Sequence, residues 1–171
     1  MSRRRGCSLI ELLIVVEIIL VIAAIAIPNI LRARMASNES SAAGCLRAIT
    51  VAETAYSTAY PAVGYATKIQ DLGGAQPCTA GPGSACLLDN SLAQSVPGSA
   101  GHSGYQFLAT GLNSGTPLNA SFVTGATPTA PGSSGTKDFC SVNDGVLRAQ
   151  PTSGGTPPVT AAPCAAYPAA Q

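Results

Sequence analysis

The sequence predicts an α+β protein in which one long N-terminal α-helix packs against a small antiparallel β-sheet, with a loop-rich C-terminal region. Three observations predict it. The first third of the chain is apolar and almost free of helix breakers, and its apolar residues continue at helical spacing as far as Tyr60-Pro61. Most of the 18 glycines and 13 prolines lie beyond residue 60. From residue 104 onward, short segments alternate apolar and polar residues between turn-forming clusters. A chain of 171 residues has room for one modest domain plus an extended element.

The helix begins after a basic stretch, Arg3, Arg4 and Arg5. An apolar run follows from Leu12 to Leu31, with Glu17 its one charge. Twenty helical residues span roughly 30 Å, the thickness of one bilayer core. The arginines before it are expected to stay cytoplasmic, which leaves the rest of the chain outside. A secretory signal peptide cleaved near Ala24-Ile25-Ala26 is the plainer reading. Glu11 and Glu17 argue against it, and the run exceeds the roughly 7–15 apolar residues such a signal uses. A simple single-span anchor is another alternative. A lipoprotein signal at Gly6-Cys7 would need an apolar stretch before the cysteine, and there is none.

Beyond Pro28 the apolar positions Leu31, Met35, Ala42, Cys45, Leu46, Ile49, Ala52, Tyr56 and Ala59 keep helical spacing. This predicts one helix from about Cys7 to Tyr60, roughly 80 Å long, bent or loosened at Pro28 because proline lacks an N–H and crowds the preceding turn. The first half is apolar all round and suits a membrane or a helix bundle. The second half is amphipathic and must bury one stripe against a sheet made by the rest of the chain.

Strands are expected at Gly104–Thr110, Ala120–Ala126, Lys137–Asn143 and Val146–Ala149, the last two closed into a hairpin by Asn143-Asp144-Gly145. Lys68–Leu72 and Leu87–Gln94 are candidate short helices, and residues 61–103 are otherwise a connection. The stretches Thr127–Thr136 and Thr152–Thr160, rich in Thr, Ser, Pro and Gly, read as exposed loop or tail and as possible O-glycosylation sites.

Composition excludes several functions. Only 10% of residues are charged and net charge is +1, so there is no electrostatic case for nucleic-acid binding. No nucleophile–base–acid set is present, and His102 is the single histidine, so no enzyme and no cofactor are expected. Six cysteines occur (Cys7, Cys45, Cys78, Cys86, Cys140, Cys164) without a C-x-x-C pair, which argues against a metal site and for disulfides in an oxidising compartment. Cys78 and Cys86 lie eight residues apart across Pro82-Gly83, an easy loop to close.

The run Gly6-Cys7-Ser8-Leu9-Ile10-Glu11-Leu12-Leu13-Ile14-Val15-Val16, followed by Ala23-Ala24-Ile25-Ala26-Ile27-Pro28, resembles the N-terminal signature of type IV pilins. The likeness covers about residues 3–35. It implies that a prepilin peptidase removes residues 1–6, cutting between Gly6 and Cys7, and methylates the new Cys7 amine. Glu11 would neutralise the N-terminal amine of a neighbouring subunit and set the axial register. Three residues depart from the family pattern: Cys7 stands where Phe is usual, Glu17 where Ala is common, and Leu20 where Gly is common. Glu17 is a second assembly candidate, turned roughly 120° from Glu11 on an ideal helix, or else a tolerated acid. The shape resembles the pilin fold. Cys140 and Cys164 then resemble the C-terminal disulfide loop of pilins. Cys45 is left buried as a small apolar residue, with pairing to Cys78, Cys140 or Cys164 as the alternative.

The resemblance implies a chain of five parts: leader 1–6, apolar helix half 7–31, amphipathic helix half 32–60, connection 61–103, and sheet with tail 104–171. It implies a structural subunit, a major pilin, that waits in the inner membrane and then joins identical subunits in an extracellular helical filament serving adhesion or motility. Its partners would be the prepilin peptidase and the assembly machinery of the inner membrane. A type II secretion pseudopilin is the runner-up. Pseudopilins usually carry an acid-rich calcium loop near the C-terminus, and here Asp138 and Asp144 are the only acids beyond Asp89. A minor pilin for adhesion or DNA uptake is the third reading. Lys137 and Arg148 alone do not make a basic patch for DNA.

Overall fold

The computed structural model describes residues 8–113, 119–157 and 161–170. The leader, Gly6 and Cys7 lie outside the described residues, as does the end of the Thr152–Thr160 stretch. The elements are α1 (Leu9–Ala59), α2 (Ile69–Leu72), α3 (Asn90–Ala93), β1 (Tyr105–Asn113), β2 (Asn119–Pro128), β3 (Lys137–Val142), β4 (Arg148–Pro151) and α4 (Ala161–Ala165). The architecture is α+β with a pilin-like layout: one long N-terminal helix and a small antiparallel sheet in the order β1-β2-β3-β4. The chain divides into two compact units, Met1–Arg34 and Met35–Gln171, and α1 contributes to both.

In the first unit every large apolar side chain of α1 is exposed, from Val16 at 47% to Leu9 at 87%. Pro28 lies inside the helix without ending it. Next to it, Asn29 donates its Nδ2 to the Ile25 carbonyl at 3.0 Å.

In the second unit α1 buries Ala42, Leu46, Ile49, Ala52, Glu53 and Tyr56, a stripe at three- and four-residue spacing. The expected stripe was longer at both ends. Leu31 is 52% exposed and lies in the first unit. Ala59, in the last turn, is exposed, and Tyr60 closes that end by packing its ring 4.8 Å from Tyr56.

Against the stripe pack Tyr105, Phe107 and Ala109 of β1, Ala126 of β2 and Phe139 of β3. The period of two in β1 puts these alternate residues on one face. The opposite face of the sheet holds a second cluster of Val123, Cys140, Val142 and Cys164, with Leu112, Ala161 and Tyr167 against it. The tail around α4 covers part of the outer face, tied back to β3 by the Cys140–Cys164 bond, while Ser153–Thr156 before it are exposed as expected. β1 and β2 each run two or three residues past their expected ends, through Asn113 and Pro128.

The β3–β4 hairpin is looser than the Asn-Asp-Gly signal suggests. Its ladder closes at Cys140↔Arg148, and β4 starts at Arg148 instead of Val146. Asp144 shapes this wider turn: it accepts from the Val146 amide at 2.9 Å and from both guanidinium nitrogens of Arg148. Gly145 follows at φ 71°, a conformation glycine adopts without strain.

Residues 61–103 are more than a surface connection. Ala66, Ile69, Leu72, Ala85 and Leu92 are all core residues. The two candidate helices are each shorter than expected, Ile69–Leu72 and Asn90–Ala93. Asp89 caps the second by accepting from the Ser91 amide at 2.9 Å.

Candidate functional site

The first candidate element is the apolar start of α1 with its two acids. Glu11 and Glu17 are both exposed on α1 within the first unit. Glu11 falls in the first turn of the helix, where a carboxylate meets the positive end of the helix dipole. That placement adds a local reason for an acid there. By length and composition α1 can cross a membrane.

The second element is the covalent framework. Cys78 and Cys86 are joined, with Cα atoms 6.1 Å apart, and so are Cys140 and Cys164, at 5.8 Å. These are the two pairings expected from the sequence. The second ties β3 to α4 and holds the tail over the outer face of the sheet. Cys45 is a free, half-buried thiol, and burial pushes its ionisation up while a hydrogen bond with Ser41 opposes this.

A polar clasp fastens α1 to the loop before β3. Glu39 Oε1 accepts from the Thr136 amide at 2.8 Å and from its hydroxyl at 2.7 Å, and Glu39 Oε2 lies 3.6 Å from Lys137 Nζ. Asn38 donates Nδ2 to the Ser134 carbonyl at 2.8 Å. Gly104 (φ 74°) passes so close to the Asn38 amide that a side chain there would displace it. Burial raises the Glu39 carboxyl, but the Thr136 donors and Lys137 outweigh it, and the net shift is downward.

Three features escaped the sequence reading. Glu53, on the buried stripe, is 0% exposed and accepts from the Ala66 amide at 2.9 Å through Oε2. Asp138 is buried on the outer sheet face and accepts from the hydroxyls of Thr127 and Thr152, both at 2.7 Å. The Asp144–Arg148 pair was visible only once the turn was known. The signal for Glu53 was present: it sits four residues after Ile49 and three before Tyr56, on the stripe itself.

No family model, curated protein or solved structure matches the chain. The long apolar N-terminal helix and the disulfide-bonded C-terminal region are compatible with a pilin-like protein.

Proposed function

We propose that the chain is a structural subunit, the major pilin, of a type IV pilus. The observation that carries the reading is the continuity of α1: one helix, Leu9–Ala59, includes both the exposed apolar stretch and the buried stripe. A signal peptide cut near Ala24 would sever that helix, whereas removal of residues 1–6 leaves it whole. Residues Leu9 to Leu31 need apolar surroundings. A membrane supplies them before assembly, and a bundle of like helices supplies them in the filament. Gross apolar burial then changes little on assembly, so specificity rests on close packing and the few polar groups.

Glu11 is the residue we assign to that specificity, paired with the new Cys7 amine of a neighbouring subunit. A charge left uncompensated in the bundle is costly, and the pairing relieves it. The work of the protein is mechanical and the chain carries no reaction of its own. The disulfides hold the outer region together once the subunit leaves the cell.

The test has two arms. Mass spectrometry of the mature protein is expected to find an N-terminus at methylated Cys7, and a start at Ile27 would reject the reading. Glu11→Ala should still insert, lose its leader and form both disulfides, yet fail to enter filaments unless wild-type subunits are present. Filament yield by electron microscopy decides it. Normal yield from Glu11→Ala alone would transfer the register role to Glu17.

A further inference from the structure

Residues 65–88 lie across α1 as a folded strap, pinned at one end to the sheet by the Tyr65 amide on the Asn119 carbonyl at 3.0 Å. The strap is bonded to itself: Ala85 donates to Asp71, Cys86 to Gly73, and Leu87 and Leu88 to Leu72, all between 2.8 and 3.1 Å. The Cys78–Cys86 disulfide closes its tip. Its apolar residues Ala66, Ile69, Leu72 and Ala85 complete the core over the helix. Two hydrogen bonds fasten it to α1: Tyr56 donates to the Pro82 carbonyl at 2.6 Å, and Ala66 donates to Glu53 Oε2 at 2.9 Å.

Glu53 is the unusual member. It is 0% exposed, and its Oε1 has no hydrogen-bond partner. A neutral carboxyl tolerates this setting far better than a carboxylate does. The titratable and charged groups facing it add no cation of its own. Asp71 of α2 is 9% exposed, and Lys68 is occupied at 4.0 Å by Asp71. On α1 itself the neighbour is Tyr56, a phenol without positive charge. We propose that residues 65–88 form a pH-gated strap, docked on α1 while Glu53 holds its proton and released progressively as Glu53 gives it up.

The direction follows from linkage. Burial pushes the Glu53 carboxyl up from 4.5 to about 8; the Ala66 amide pulls the other way, and Asp71 adds to the rise. In the released strap Glu53 meets water and returns to its ordinary value. The docked state therefore binds one more proton between pH 4.5 and about 8, and docking weakens as pH rises through that window. Above it both states are ionised and no further loosening occurs. Asp71 is itself raised by burial against the pull of Lys68, so its ionisation acts in the same direction. Release would uncover the apolar side chains of Ile69 and Leu72. The proposal does not depend on filament formation.

Amide hydrogen exchange on the full chain in neutral detergent micelles tests it, with intrinsic exchange rates divided out. Protection at Ala66, the strap amide that bonds to α1, should fall about tenfold per pH unit between about pH 5 and 8. It should also stay below that of the β2–β3 ladder, the mark of a local opening. Unchanged strap protection across the window would overturn the proposal, and so would equal protection in strap and ladder. Glu53→Gln keeps the shape and an acceptor for Ala66 but cannot ionise, so it should lose most of the pH dependence; a profile like the wild type's counts against the strap. Should that variant not fold, Asp71→Asn removes the neighbouring charge and should end the fall at lower pH. An Asp71→Asn profile identical to the wild type would likewise reject it.

Discussion

Ile25 and Ile49 are the same residue in the same helix, yet Ile25 is 65% exposed and Ile49 is 0% exposed. The two halves of α1 differ in apolar content and in how the apolar residues are arranged. Around Ile49 the apolar residues form one stripe, and the other faces carry Arg47, Thr50 and Thr54, so the chain can cover that stripe with its own sheet. Around Ile25 they occupy every face, and no single sheet could cover them. Burial within the chain follows where a covering face exists, and among the described residues nothing covers the apolar surplus of the first half.

Truncating matched leucines in the two halves breaks or sharpens that contrast most strongly. Leu46→Ala opens a cavity between α1 and the sheet and should cost about 3–5 kcal/mol of stability. Leu20→Ala, in the first half, should leave the unfolding midpoint of the second unit where it is. Denaturant titration in micelles, followed by tyrosine near-UV circular dichroism, compares them. Equal losses would mean that the two halves fold as one unit.

The covalent framework belongs only to the second unit. Replacing both Cys140 and Cys164 by Ser should cost about 2–4 kcal/mol by freeing a chain segment that the bond restrains. The same denaturant titration reads it, and peptide mapping without reductant confirms that Cys78–Cys86 still forms.

The Glu39 clasp has a smaller expected effect with a pH signature. Glu39→Ala should cost about 1–2 kcal/mol, since it strips the Thr136 amide and hydroxyl of their acceptor. Because the folded carboxyl is held below its ordinary 4.5, its contribution is present above that pH and is lost as pH falls below it. The variant's midpoint should thus approach the wild type's in acid, as melting curves across pH would reveal.

Val51 gives the smallest effect. It is apolar and sits beside the buried stripe, yet it is 69% exposed. Val51→Ser should change stability by no more than about 0.5 kcal/mol. A larger loss in the isolated subunit would mean that the stripe is wider than the sheet's footprint.

What was legible in the sequence follows the same logic. The stripe from Ala42 to Tyr56 and the alternation of Tyr105, Phe107 and Ala109 were readable because each element has one dry face. The end of β2 was not, because Phe122 to Pro128 are buried on both faces and lose their alternation. The short helix α4 was hidden in a tail of Ala and Pro, where tertiary packing on Val123 and Val142 and the bond to Cys140 decide the conformation. Glu53 was passed over because a carboxylate on an apolar stripe reads as a solvent-facing residue until the Ala66 amide is seen beside it. Gly6 and Cys7 remain sequence inferences.

The Glu39–Thr136 contact joins residues separated by 97 positions, and Asn38–Ser134 by 96. During synthesis the amphipathic stripe of α1 is complete long before β3 exists to cover it. Closing so long a loop is entropically slow, and topologies built on such distant contacts fold late. For that interval the stripe is bare apolar surface, the kind that draws nascent chains into aggregates. A chain in this state gains from anything that shields its helix between the ribosome and the finished sheet, and an apolar phase such as a membrane, if it held the first half of α1, would keep the molecules apart while the second half waits.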